Sequence, residues 1–279
     1  MRAVNISDHC LIPGWPAPAN VKALQTTRLG GVSSAPYDSL NLGMHVGDDP
    51  VRVNRNRQSL APLMPGEPVW LEQVHGVAVA NADMAGCRIQ ADACIARQRG
   101  SVCVVMTADC LPVLLCDMRG SVVGAVHAGW KGLAAGVIEA AVQAMDVAPQ
   151  NLMAWLGPAI SQDAFEVGEE VRAAFVSAHP QAASAFVSGQ SGKWMADLYA
   201  LARIRLNALG ITQIYGGGDC DTLLRSSGLR EQSPAAPPAP DGSTAPCRGG
   251  YCTYRERDTF FSYRRDGTTG RMGTFIWIG

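Results

Sequence analysis

Residues 107–132, TADCLPVLLCDMRGSVVGAVHAGWKG, decide how the rest of the chain is read. They hold two apolar runs, LPVLLCD and SVVGAVH, joined by the turn-like Met118-Arg119-Gly120. Short apolar runs bounded by turn residues fit fully buried strands. A pair of core strands needs neither a thiol nor an imidazole at its tips. This pair opens on Asp109-Cys110 and ends on His127. The two residues are either accidents of packing or parts of one site.

The flanking segments supply partners for the pair. SVCVVMTADC reads as a further strand, and PVWLEQVHG as a strand ending at His75-Gly76. KGLAAGVIEAAVQAM reads as one helix, with Leu133, Val137, Ile138, Ala141, Val142 and Met145 on a single apolar stripe. NLMAWLGPAI is a strand broken by Gly157-Pro158. GEEVRAAFVSAH and WMADLYALARIRLNAL are helices, the second stopped by Gly210. ITQIYGGG and GTFIWIG close as strands, and Asp48-Asp49-Pro50 starts a helix through VRVNRNRQSLAPLM. Strands and helices mix without strict alternation, which predicts one α/β or α+β domain around a mixed sheet. Residues 226–250, rich in Pro, Ala, Ser and Gly, read as a flexible surface insertion. Core-forming chain resumes at Tyr251, so the insertion is a loop and not a domain boundary.

Composition narrows the function. A chain of 279 residues that is 47% hydrophobic and 17% charged can bury a large core. A formal net charge of -1 gives no basic field to draw in nucleic acid or a membrane surface. No apolar run reaches the roughly 18 residues of a membrane span. The N-terminal MRAVNISDHCLIPGWPAPAN lacks the apolar core of a secretory leader. A soluble cytoplasmic protein is the expectation. The nine cysteines are odd in number and scattered, which fits reduced thiols. Cys103 and Cys116, inside apolar runs, fit the core.

Five histidines are present. His9 and His179 read as surface residues, and His45, in NLGMHVGDDP, stays open. His75 and His127 each end an apolar run, and Cys110 also sits at a strand tip. Three such tips can converge at one sheet edge. Two imidazoles and a thiolate suit zinc, and three protein ligands leave a fourth position open. A zinc ion so held lowers the pKa of its water to about 7. Two backbone-satisfied histidines beside a core thiol would look the same in sequence. So would a blue-copper site with Met106 as a weak axial ligand. A Cys110 nucleophile with His127 as base and Asp109 orienting it is a further alternative. Five histidines cannot furnish a multicopper cluster within one chain. Glu72 and Asp109 neighbour these residues as candidate proton carriers or ligand-orienting groups.

Anion binding has two candidate regions. Arg264 and Arg265, with Arg271, surround a glycine turn, and Arg28 lies in TTRLGGVS. Grouped arginines can grip phosphate through paired hydrogen bonds. The alternative is a solvated hairpin with ion pairs to Asp266 and Glu256. No phosphate loop or GxGxxG turn is present.

Seven blocks carry a resemblance: YDSLNLGMHVGDDP, WLEQVHG, MTADCLPVLLCD, AVHAGWKGL, WLGPAIS, FEVGEEV and FFSYRRDGTTGRM. Together, in this order over nearly the whole chain, they resemble the bacterial laccase-domain family. That family is also called multicopper polyphenol oxidase, purine nucleoside phosphorylase or peptidoglycan editing factor. The resemblance implies a single layered α/β domain over residues 1–279, with mixed β-sheets and flanking helices. It implies metal ligation by the His of QVHG, the Cys of TADC and the His of VHAGW, which are His75, Cys110 and His127 here. It also implies phosphorolysis of adenosine, inosine and methylthioadenosine, and deamination of adenosine. Laccase-like oxidation with copper and editing of a UDP-linked peptidoglycan precursor are the family's other assigned roles. The expectation is therefore a zinc-dependent purine nucleoside enzyme taking a nucleoside and phosphate. The nucleobase-deaminase signature H-x-E with P-C-x-x-C is absent. One departure from the family pattern is the insertion that parts Gly217-Gly218-Asp219 from Cys252-Thr253-Tyr254. Cys220, Cys247 and Cys252 at that junction are either loop thiols or a second metal site.

Overall fold

A computed structural model describes residues 6–84, 89–217, 224–225 and 251–279. The insertion at 226–250, Cys220 and Cys247 lie outside the described residues. Every residue of Leu111–Asp117 and of Val123–Ala128 is buried, and the two strands pair antiparallel. Both faces of the pair must therefore be covered. Strand alternation sorts the side chains: Leu111, Val113 and Leu115 join one core, Leu114 and Cys116 the other.

The pair is the middle of a six-stranded mixed sheet. Leu152–Leu156 and then Gln213–Gly216 lie on one side, Ala93–Ala96 and then Val79–Asn81 on the other. The inner pairings are antiparallel and the two marginal ones parallel. A second six-stranded sheet is built on Met272–Ile278, between Val21–Thr26 and Val102–Thr107. The sheets stack face to face through Cys103, Val105 and Ile276 against Leu114, Cys116 and Trp155. Helices Val137–Met145 and Leu198–Ala208 cover the outer face of the first sheet. Helix Pro50–Leu60, with Leu40 and Leu42, covers the outer face of the second. The result is a layered α/β fold with its largest cores on either side of the central pair.

The apolar stripe is buried at all six positions expected from the sequence. The helix that carries it is broken, however. Gly136 adopts φ 101°, so Trp130–Ala135 and Val137–Met145 are separate helices. A left-handed residue ends one helix where a side chain would be strained. Likewise WMADLYALARIRLNAL is not helical throughout. Trp194–Ala196 is a strand, and Asp197 caps helix Leu198–Ala208 by accepting from the Ala200 N–H. A side-chain oxygen at that position satisfies a helix N–H that has no other partner.

PVWLEQVHG departs furthest from its reading. It forms two short strands on different sheets, Pro68–Val69 beside Val102–Thr107 and Leu71–Glu72 beside Ile89–Gln90. Trp70 sits at the crossing, its ring edge-on to Phe275 and stacked 3.7 Å under the Arg57 guanidinium. His75 is therefore not at a strand tip. It stands in a turn with φ 61°.

Candidate metal centre

Three segments deliver the three side chains. His127 closes strand Val123–Ala128 and shares the parity of Val123 and Ala125, which face the second sheet. It is 3% exposed. Cys110 directly precedes strand Leu111–Asp117, after a kink at Asp109 with φ 89°. His75 comes in from the separate turn. The ligand atoms of His75, Cys110 and His127 all lie within 4.8 Å of one another. The Cys110 Sγ is 3.7 Å from the His75 Nε2. Bonds of about 2.0–2.3 Å to a tetrahedral ion place ligand atoms roughly 3.3–3.8 Å apart, so the Cys110–His75 pair already fits and the group as a whole would have to draw in to bind one. The imidazole rings meet edge to face at 4.8 Å between centroids. His127 is buried, Cys110 half-buried and His75 exposed, so one side of the group opens outward.

Glycine makes the convergence possible. A Cβ at Gly129 would lie 2.7 Å from the His75 Cδ2 and 3.0 Å from the Cys110 Sγ. A Cβ at Gly132 would meet the Gly76 carbonyl at 2.9 Å. The backbone at Gly129 has φ -65°, which alanine tolerates, so its substitution tests space alone. Overpacking typically costs ~1–3 kcal/mol, so Gly129→Ala is expected to weaken any metal binding by this group about 10-fold while the chain stays folded. Zinc titration with a competing chelator reads this directly. Unchanged affinity would show that the cradle is not needed.

Asp92 holds the group together. It is fully buried, and its Oδ1 accepts from the His127 Nδ1 at 2.8 Å. The same carboxylate accepts the N–H groups of Val74, His75 and Gly76. Its own carbonyl accepts from the His127 N–H. One side chain thus fixes the turn that bears His75 and the tautomer of His127. With Nδ1 committed to Asp92, the Nε2 of His127 is left for a metal. The sequence reading passed over Asp92. Its signal was an acid set between alanines in the apolar QADACIA.

Charge favours ligation. Burial works against ionisation of Cys110, but His127 and His75 outweigh it and bring the thiol down to about 6. Burial likewise disfavours a charged His127, yet Cys110 and Asp92 raise it to about 9. Burial would raise Asp92, but hydrogen bonds from His127 and the turn N–H groups hold it below the usual carboxylate range. Without metal, Cys110 and His127 therefore form a thiolate–imidazolium pair at neutral pH. A metal ion held here would take the place of the proton, with the thiolate it needs already formed.

The other candidates scatter. Asp109 lies beside the group, but both of its carboxylate oxygens are occupied, by the Thr253 hydroxyl and the Arg264 N–H. Glu72 is exposed on its short strand, three residues before His75. Arg265 spends its donors on the Thr253, Tyr254 and Phe260 carbonyls and on Asp266. Arg28 is bound to Asp38 and to the Arg257 carbonyl. Neither guanidinium is brought to the His-Cys-His group. The segment around Arg265 is a short helix, Tyr263–Asp266, and not a hairpin. Arg264 donates to the Glu166 carbonyl and lies over the Phe165 ring. Arg271 is the arginine tied electrostatically to the centre. Burial lowers its pKa, while the charges of Cys110 and Asp109 oppose that. His45 is lowered by burial and by Arg271, Arg57 and His127, which places it on the same side. Met106 packs in the outer core with its sulfur toward Arg57, so it does not serve as an axial ligand. Cys252 is buried near Ser161, away from any second metal group among the described residues.

Comparison with known proteins gives the chain's family. The family model described as multi-copper polyphenol oxidoreductase laccase matches residues 22–231 and 241–279. A purine nucleoside phosphorylase of Pseudomonas aeruginosa is 48% identical, covering 96% of this chain and 98% of its own. The Escherichia coli purine nucleoside phosphorylase YfiH is 47% identical with the same coverage. Among solved structures, a Neisseria meningitidis protein superposes with a TM-score of 0.83 at 48% identity, over 97% of this chain and 99% of that one. YlmD of Geobacillus stearothermophilus superposes with a TM-score of 0.77 at 29% identity, over 95% and 94% of the two chains. The chain belongs to the laccase-like family of multi-copper polyphenol oxidoreductases whose members include these purine nucleoside phosphorylases.

Proposed function

We propose that the chain is a zinc-dependent purine nucleoside phosphorylase, with adenosine deamination as a second reaction at the same centre. The observation that carries the reading is the His75, Cys110 and His127 group, backed by buried Asp92 and open on one side. Relatives named as purine nucleoside phosphorylases support the substrate class. A zinc ion held by these three residues would supply Lewis acidity at its open fourth position. One His-Cys-His group among the described residues suits one ion better than a copper cluster.

The chain's own residues have separable tasks. Asp92 keeps the proton on the His127 Nδ1 and so turns Nε2 toward the open side. Cys110 gives up its thiol proton readily and contributes the negative ligand. Arg271 brings positive charge to the entrance, which suits inorganic phosphate, while His45 beside it favours its neutral form. Arg264, with one guanidinium bond to the Glu166 carbonyl, is the further candidate for phosphate. In phosphorolysis, phosphate attacks the anomeric carbon as the purine leaves, through an oxocarbenium-like state like that of glycoside cleavage. Glu72 is the nearby carboxylate without a committed role, and deamination would use its Oε atoms to carry a proton. Asp109, bonded to the Thr253 hydroxyl and the Arg264 N–H, serves to position Cys110.

The test uses the full chain, purified without added metal and analysed for bound elements. Inosine, adenosine and methylthioadenosine are assayed with phosphate before and after chelation. Chelation is expected to cut turnover at least about 100-fold, and added zinc to restore it. Equal turnover in the metal-free protein would overturn the proposal. So would bound copper accompanied by phenol oxidation and no phosphorolysis.

A further inference from the structure

Tyr263 is 60% exposed, against 39% for Tyr254, the other exposed aromatic side chain among the described residues. An exposed ring is open to a partner from solvent, and its surroundings decide whether one fits. Tyr263 is the first residue of the short helix capped by Ser262. The next residue, Arg264, donates its N–H to the Asp109 Oδ2 at 2.6 Å. Asp109 in turn adjoins Cys110, so a single hydrogen bond ties this helix to the metal centre. The carboxylate is held on its other side by the Thr253 hydroxyl at 2.6 Å. The helix start is therefore fixed relative to the thiol.

The ring has a charged neighbour. The Arg271 guanidinium carbon lies 5.9 Å from the Tyr263 centroid. Arg271 is itself held from behind: its N–H donates to the Asn41 Oδ1, and its carbonyl accepts from the Leu42 N–H. A Cβ at Gly43 would lie 2.8 Å from the Arg271 Cγ. The loop beyond Gly43 carries His45 and Met44, the latter 42% exposed. Arg271 thus stands between Tyr263 and the Gly43 segment, and the charge of Cys110 acts on it. A guanidinium within about 6 Å of a ring attracts its π system and steadies it.

We propose that the Tyr263 ring is the surface on which the purine base stacks at the mouth of the metal centre. It is a substrate-positioning residue for the reaction proposed above, and the inference rests on that reading. Stacking suits a site that accepts more than one purine, because every base offers a π face and no edge need be read. Tyr263 then sets how tightly the base is held, while the metal centre and Arg271 address the ribose and phosphate side.

The test is calorimetric titration of adenosine into the zinc-loaded wild type, Tyr263→Leu and Tyr263→Phe, alongside steady-state phosphorolysis. Removing an aromatic platform typically weakens base binding about 5- to 100-fold. Tyr263→Leu is expected to bind adenosine about 10-fold more weakly and raise the nucleoside KM to match, with the phosphate KM and zinc content unchanged. Tyr263→Phe keeps the ring and is expected to stay within about 2-fold of wild type. Adenosine binding that is equal in wild type and Tyr263→Leu would overturn the stacking role alone. So would a Phe variant as impaired as the Leu variant. A wild type that neither binds adenosine nor turns over any purine nucleoside would overturn the nucleoside reading as well.

Discussion

Cys110→Ala is expected to strip the protein of its metal on dialysis and to lower inosine phosphorolysis by more than about 1000-fold. The thiolate is the one anionic member of the group. Without it two imidazoles remain, one buried and one exposed, and His127 loses the negative neighbour that offsets its burial. The fold should survive, because Cys110 is half-buried and lies outside the strand that follows it. Circular dichroism and a thermal melt check that point. Elemental analysis and turnover on the same sample check the rest. Full phosphorolysis by a folded, metal-free variant would remove the metal from the mechanism and leave the His-Cys-His group without a role.

The second large effect belongs to Asp92→Ala. Loss of a residue that orients a metal-binding histidine typically costs about 10- to 100-fold in metal affinity. Here the same change also strands the N–H groups of Val74, His75 and Gly76 and leaves the His127 Nδ1 without its acceptor. Breaking a buried charged pair costs about 3–5 kcal/mol, so unfolding in urea should occur at clearly lower denaturant. Asp92→Asn retains an acceptor for His127 and is expected to fall between the two. Competition against a chromophoric chelator measures the affinity. If Asp92→Ala bound zinc as tightly as wild type, the turn would be held by something other than this carboxylate.

Much of the centre could be read from residue types and local pattern. His127 and Cys110 stood out because an imidazole and a thiol at the ends of apolar strands need a reason, and family resemblance singled out the same pair with His75. The position of His75 was misread. A run such as PVWLEQVHG looks continuous, but Trp70 and the exposure of Glu72 and Val74 show that the chain is crossing between sheets. Asp92 was hidden for a related reason. Between Ala91 and Ala93, an acid looks like the solvent-facing position of a strand, and its burial depends on where the turn at 74–76 docks. The arginines illustrate the opposite limit. Residue type alone gives Arg28, Arg265 and Arg271 equal claims to an anion. Only their hydrogen bonds reveal that the first two are spent on their own segments. Breaks such as Gly136 depend on a backbone angle that an apolar stripe does not report.

The hydrogen bond between Thr253 and Asp109 bears on how this family can diversify. It sits at the point where the described chain resumes after the insertion, with Cys252 bridged to Ala159 one residue earlier. On the near side, Gln213–Gly216 is paired with Leu152–Leu156, and the Gly216 carbonyl is held by Arg203. The chain is thus anchored on both sides of residues 226–250: Gly216 is held to the first sheet, and Thr253 to the carboxylate beside Cys110. Lengthening a chain segment between fixed ends costs little, about 0.6 kcal/mol for each doubling. These anchors let the fold tolerate a change of length at this junction.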